Sequence, residues 1–425
     1  MTTATISIRN PKDLASLKSK NHRASLRGLR CSLMASEEQR VALLNLASDA
    51  NLVGSSMEET SRFIKASAQT CIPKFSTEEV VVGELVGKGG FNVIFALDAV
   101  VLRDDSSSSC DSQRPTDAEA KQRESDEFRF RQDRQLQERR LAFASTVNQH
   151  KDNHQYVVKF LVPDLKLNKL KSGALDLVRE AKMMASMEHK NIITLRGLAE
   201  DSAEGHFLVM DRLSETLLER LTRWKRTHRT GPLQAILKSK KQRRHSMSCF
   251  FLQRFNVLLE LASAFVYLHS INVVYKDGKL ENCGFAQKDG CLKLFDFGLA
   301  KELHKYPRVS PDSNLYHVGS FGGTHPYIAP EIAKGQPYGL SADVYTFSII
   351  CFEVLTMREP FANLMEDEYA DRVVFGNQRP RLPKTSSTWS PELKQLLAEC
   401  WSPDADARPT MDQVLSRLQG IRGPF

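Results

Sequence analysis

The period of the apolar positions changes several times along the chain, and each change marks an element. In residues 79–87, EVVVGELVG, and again from Val93 to Leu102, apolar residues come in short valine-rich runs, which predicts two strands. Gly87, Gly89 and Gly90, followed by Phe91, form the turn between them. A third strand, QYVVKFLV, begins at Gln155 and carries Lys159 in its apolar middle. The spacing then becomes helical in LDLVREAKMMASMEHKNIITL, which turns Leu175, Leu177, Val178, Met183, Met184 and Met187 towards neighbouring elements and holds Glu180 in its first half. FLVMDRL, residues 207–213, reads as a buried strand followed by a turn, and FLQRFNVLLELASAFVYLHS, residues 251–270, as a strongly apolar helix with a period of about 3.6. A hairpin follows: Cys283 to Phe285, a turn at Lys288 to Gly290, then Leu292, Leu294 and Phe295.

Two stretches break this pattern. Residues 103–154 contain Ser106 to Ser109 and then KQRESDEFRFRQDRQLQERR, a run that can form a polar helix but offers little apolar face, so a solvated insertion is expected, with a docking role as the alternative. Residues 224–248 carry Lys238, Lys240, Lys241, Arg243 and Arg244 ahead of Ser246. A solvated basic loop is the expectation there; a nuclear-import patch, a contact for an acidic partner and a phosphorylation site at Ser246 are the functional alternatives. Near the start, SEEQRVALLNLASDA from Ser36 has an N-cap and first-turn glutamates before Val41, Leu43, Leu44 and Leu46, which predicts a short amphipathic helix.

Composition narrows the classes. The chain has 425 residues, and its 41% hydrophobic fraction is enough for a sizeable core. The formal charge of +8 lies mostly in loops and tails, so no nucleic-acid partner is expected. Up to Met34 the chain holds Arg9, Lys12, Lys18, Lys20, Arg23, Arg27 and Arg30 against Asp13 alone. A disordered basic tail and an organelle transit peptide share this composition, the tail being the expectation. Eight cysteines without a CxxC pair argue for reduced thiols inside a cell, in the cytoplasm or nucleus unless the amino terminus directs the chain to an organelle. No transmembrane segment is expected, since no apolar run approaches the roughly 20 residues of a spanning helix.

The chemistry concentrates between Val274 and Gly298, VYKDGKLENCGFAQKDGCLKLFDFG. The hairpin can bring Asp296 back beside Asn282, and oxygen ligands so placed suit Mg²⁺, which takes one or two protein groups plus phosphate oxygens. Asp277 is then free to accept a proton. A lysine in an apolar strand, like Lys159, needs an anion to meet it.

D-x-K-x-x-N followed by a hairpin and D-F-G resembles the catalytic and metal-binding loops of the eukaryotic protein kinases. The resemblance covers roughly Ser76 to Leu418 apart from the two insertions. It implies an α+β, two-lobed fold, with residues 1–75 an extension and 76–421 a kinase domain. By the same resemblance Lys159 pairs with Glu180 and holds the α- and β-phosphates of ATP under Gly87, Gly89 and Gly90. Met210 backs the adenine site and Asp211 to Leu213 offer backbone hydrogen bonds to the base. Asp277 orients the substrate hydroxyl, Lys279 steadies the transferring phosphoryl, and Asn282 and Asp296 bind Mg²⁺. Asp343 supports the catalytic loop, and Arg408 pairs with Glu331 of the A-P-E triplet. Lys279, two residues after Asp277, is similar to serine/threonine kinases, while DVYTFS, CW and RPT resemble the tyrosine-kinase-like group. A protein substrate is implied by the segment ending in GGTHPYIAPE; Ser310, Ser313, Tyr316 and Ser320 within it are candidate phosphosites.

Four positions depart from the family pattern. Asn92 replaces the third glycine, and asparagine tolerates unusual backbone angles, so an altered turn is expected. Tyr275 takes the place of a histidine, as another ring able to pack in the core. Lys276 replaces an arginine, keeping the charge but losing the bidentate fork. Gly278 stands in place of leucine and is expected to loosen the loop. The rival reading is a pseudokinase scaffold whose departures mark lost turnover; phosphorylation of a small molecule is a third.

Overall fold

A computed structural model describes residues 24–25, 61–64, 72–89, 91–103, 119–150, 154–161, 167–199, 207–235, 240–319, 322–384 and 389–422, with backbone alone at 24–25, 119–130, 167–171, 228–235 and 240–247. The expected helix after Ser36, most of the basic terminus, Gly90, Lys238 and Ser320 lie outside these residues. Two compact units result, one built from the chain up to Met187 with Thr194–Arg212, the other from Glu188–Ile193 and everything after Arg212.

The first unit is a seven-stranded sheet. Its strands are β1 (Ala24–Ser25), β2 (Lys74–Phe75), β3 (Val80–Lys88), β4 (Asn92–Val100), β5 (Tyr156–Leu161), β6 (Leu195–Ala199) and β7 (Phe207–Asp211), in the spatial order β1-β3-β4-β5-β7-β6-β2. One sheet face buries alternate residues: Val80, Val82, Phe95, Leu97, Val158, Phe160, Phe207 and Val209 form a continuous core. Phe75 is fully buried in the same core and Lys74 pairs with Leu198, so the folded unit begins before Ser76. Helix α2 (Leu167–Ala185) follows β5 and carries Glu180.

The first insertion is not merely solvated. Helix α1 (Glu119–Gln149) buries Arg140, Ala144 and Val147 along one side of its last turns, while Phe143 meets Phe75 (5.7 Å between rings) and Tyr156 (4.9 Å). Asn148 reads both backbone groups of Val100, accepting from its N–H (3.2 Å) and donating to its carbonyl (2.8 Å). Arg140 donates to buried Glu79 at 2.6 Å, and the same carboxylate accepts from the N–H groups of Ser76 and Arg103. Replacing Arg140 with Met strips a buried carboxylate of its cation, and a loss of about 3 kcal/mol is expected in chemical unfolding. Arg134→Ala, removing an exposed pair one turn apart, is expected to leave unfolding unchanged.

The second unit is mostly helical. Its main helices are α3 (Leu217–Ala235), α4 (Lys240–Ser270), α5 (Pro330–Ala333), α6 (Ser341–Thr356), α7 (Glu366–Tyr369), α8 (Pro391–Cys400) and α9 (Met411–Arg422). The second insertion is thus largely the end of α3 and the start of α4, and Ser246 lies within α4. Ser248–Ser270 is long and apolar enough to cross a membrane by length and composition, contrary to expectation. Its buried positions, Phe251, Phe255, Leu258, Leu261, Ala262, Phe265 and Leu268, recur at helical spacing and face the core of this unit, as in an ordinary internal helix. Arg254 on the same helix donates to the carbonyls of Val354 and Leu355, capping the C-terminus of α6, and burial lowers its pKa to about 10.

Candidate active site

The residues that carry chemistry are divided between the units. In the first, Lys159 Nζ lies 2.6 Å from Glu180 Oε2, and both side chains are buried. Strand register sets the lysine between Ile94 and Leu208, and α2 reaches over the sheet to supply an anion. Gly87 sits in β3 opposite Ile94, and the Gly89 N–H donates to the Asn92 carbonyl at 2.7 Å. A Cβ at Gly87 would meet nothing within 4 Å, and one at Gly89 only the Asn92 oxygen at 3.7 Å. Neither glycine has positive φ; what their absent side chains leave is open space, which suits close approach of a polyphosphate to the backbone. Asn92 also has negative φ and simply opens β4, so its tolerance of unusual angles is not used.

Met210 is buried at the end of β7. Asp211 is held by Arg196 through two bonds of 2.7 and 2.9 Å. Its N–H donates to the Thr194 carbonyl and that of Arg212 to the Gln155 carbonyl, so these two donors are engaged within the sheet rather than offered to a base. Leu213 begins β8 (Leu213–Thr216) in the second unit, against Ala286.

In the second unit the short strand β9 (Val273–Val274) leads into the catalytic-loop sequence, and the hairpin appears as expected: β10 (Cys283–Ala286) pairs with β11 (Leu292–Leu294), with Gly290 at positive φ in the turn. The Phe295 N–H reaches the Asn282 carbonyl at 3.1 Å, which returns Asp296 to the loop it left. Asp277 is the centre of a network: its Oδ2 accepts from Lys279 Nζ (2.7 Å) and Asn282 Nδ2 (2.9 Å), its Oδ1 from Thr324 Oγ1 (2.7 Å). Lys279 also donates to Thr324 at 3.2 Å. The Asn282 NH₂ is turned to Asp277, and its amide oxygen and the Asp296 carboxylate are oxygen groups of the type Mg²⁺ prefers. Among the described residues no group of three His, Cys, Asp or Glu is placed to hold a metal.

Two residues here have positive φ without being glycine, Lys276 (71°) and Asp296 (66°). Such angles cost energy and need support. Asp343, fully buried, accepts from the N–H groups of Tyr275 (2.7 Å) and Lys276 (2.9 Å) and lies 3.1 Å from His269 Nε2. On the other side the Tyr275 hydroxyl donates to the Phe295 carbonyl while its ring meets Phe297 edge-on at 5.4 Å. Tyr275→Phe keeps the ring but orphans that carbonyl, so about 1–3 kcal/mol of stability should be lost in denaturant titration. Gly278 does not loosen the loop: a Cβ there would lie 2.4 Å from Thr346 Cγ2 and 3.5 Å from Phe265, so glycine is what lets α6 pack beneath it. Arg408 clasps Glu331 through bonds of 2.7 and 2.9 Å.

The sheet unit and the helical unit, each taken by itself, have the architecture of the two parts of a protein kinase domain. The chain belongs to that family: the protein kinase domain model matches residues 140–418. The match begins inside α1, so β3 and β4, cut off by the insertion, fall before it. Among curated proteins the chain is similar to the probable serine/threonine-protein kinase gdt4 of Dictyostelium discoideum, 30% identical over 183 residues, 42% of this chain and 11% of that protein. It is 32% identical over 170 residues to the serine/threonine-protein kinase VIK of Arabidopsis thaliana, covering 39% and 37%. With the human mitogen-activated protein kinase kinase kinase 10 it shares 28% identity over 257 residues, 57% and 23%. The chain therefore spans between 11% and 37% of the length of these relatives. The first two of these names are those of serine/threonine-protein kinases.

Proposed function

We propose that the chain transfers the γ-phosphoryl group of ATP to serine or threonine hydroxyls of proteins. The observation that carries this reading is the network at Asp277, where one carboxylate is oriented by Lys279, Asn282 and Thr324 together. Asp277 orients the substrate hydroxyl and takes its proton as the bond to phosphorus forms. Lys279 lies against the transferring group and offsets its charge, and Lys159, steadied by Glu180, holds the α- and β-phosphates. Asn282 and Asp296 would hold Mg²⁺, whose contribution is to neutralise the phosphate oxygens. Serine or threonine as acceptor is supported by Lys279 and by the names of the relatives.

The departures that motivate a scaffold reading have local explanations: Asn92 continues a strand, Gly278 makes room for Thr346, and Lys276 retains its charge. Incorporation from γ-labelled ATP into a generic basic protein, with and without magnesium and beside Asp277→Asn, tests the proposal. Magnesium-dependent incorporation that vanishes in the variant supports it. Nucleotide binding without Asp277-dependent transfer would leave a scaffold.

A further inference from the structure

In the segment after Asp296, Lys301 and Glu302 pair with Val274 and Val273 and Thr324 bonds to Asp277, and the stretch between them is tied to the rest of the second unit at Tyr316. Tyr316 and Tyr338 exchange both backbone hydrogen bonds, Tyr316 N–H to the Tyr338 carbonyl (2.9 Å) and Tyr338 N–H to the Tyr316 carbonyl (3.2 Å). On the segment side Arg308 lies over the Tyr316 ring at 5.5 Å and donates to the Pro311 carbonyl, the Val309 N–H donates to Leu315 and the His317 N–H to Pro307. These bonds fold residues 307–317 back on themselves. Next to the bridge, a Cβ at Gly339 would fall 2.1 Å from the Asn314 carbonyl oxygen, so the segment approaches as closely as glycine permits. On the other side Lys276, buried beside Asp277, points its ammonium at the Tyr338 ring, 5.2 Å from the centroid. Tyr338 therefore touches the catalytic loop with its face and the activation segment with its backbone.

We propose that Tyr338 is a positioning residue that couples the activation segment to Asp277 through Lys276, and that this coupling orders the segment without any added phosphate. The proposal rests on the kinase reading for its catalytic consequence but not for its structural one. Lys276 is close to Lys301 as well as to Asp343 and Asp277, and burial lowers its pKa to about 8. Ser310 is exposed and Ser313 half-buried in the turn of the folded segment, whereas Tyr316 is buried beneath Arg308, where it supports the turn.

The test uses the full chain, untreated and after phosphatase, with trypsin cleavage after Lys305 or Arg308 as the first readout and turnover with Mg²⁺-ATP and a generic basic protein as the second. Wild type should resist cleavage equally before and after phosphatase. Tyr338→Leu should be cut faster and lose about tenfold in kcat with an unchanged KM for ATP, while Tyr338→Phe keeps both properties within about threefold. Gly339→Ala, which pushes on Asn314 from outside the ring contact, should raise cleavage in a chain that still unfolds cooperatively. Protection that disappears on phosphatase treatment, or a Tyr338→Leu chain as resistant and as active as wild type, overturns the proposal. If no form turns over, the cleavage readout still decides the coupling, and only the kinase reading fails.

Discussion

Asp277→Asn should leave the protein folded and able to bind ATP while phosphoryl transfer falls by about 10²–10⁴-fold, the usual contribution of a positioned general base. The geometry explains why the two effects separate. Oδ2 of Asp277 receives two donors, Lys279 and Asn282, and the Lys279 ammonium cannot accept, so the oxygen of an introduced amide must occupy that side. Its NH₂ then faces Thr324, whose hydroxyl donates to Oδ1 in the native chain and can turn to accept instead. All three neighbours stay bonded, so unfolding should change little. What disappears is a carboxylate able to take a proton from an acceptor hydroxyl. Binding of ATP, followed by fluorescence or calorimetry, should match wild type because Lys159 and Glu180 are untouched. Transfer within threefold of wild type would remove Asp277 from its proposed role.

Much of this site was legible because its chemistry depends on short spacings. Asp277, Lys279 and Asn282 lie within six positions, and the hairpin that brings Asp296 home is itself local, two short strands and a turn. Contacts between distant positions were harder. In α1 the apolar residues Phe143, Ala144 and Val147 follow more than twenty mostly polar ones, and averaging over the whole run hid a short face that Phe75 and Tyr156 complete. Arg140 gave even less warning: it reads as one more exposed charge until Glu79, 61 positions away, is found beneath it. Gly278 misled in the opposite direction. Glycine in a loop suggests freedom, yet here the missing side chain is space already filled by Thr346, and nothing near Gly278 in sequence could say so. Tyr338 belongs with these, since its significance lies in meeting Lys276 and Tyr316 at once.

Arg408→Met is expected to cost the most stability of any single substitution considered, about 3–5 kcal/mol, because it leaves the Glu331 carboxylate buried and unpaired. Arg408 is sequestered completely: besides the two bonds to Glu331 it donates to the carbonyls of Ser402 (2.9 Å) and Ser341 (3.0 Å) and lies 5.3 Å from the centre of the Tyr345 ring. The arginine thus ties α5, the start of α6 and the loop before α9 at one point, and α5 follows directly on the segment that holds Thr324. Against a total stability of about 5–15 kcal/mol for a typical domain, such a loss populates unfolded chains at physiological temperature. The magnitude belongs to the stranded charge more than to the lost attraction, and a double-mutant cycle separates the two. Glu331→Leu together with Arg408→Met removes both charges, so the double variant should be more stable than Arg408→Met alone, although Ser402 and Ser341 still lose their donor. If the double variant is less stable than wild type by the full sum of the two single losses, the pair is not coupled, and the ion pair cannot be what joins the end of the activation segment to α6.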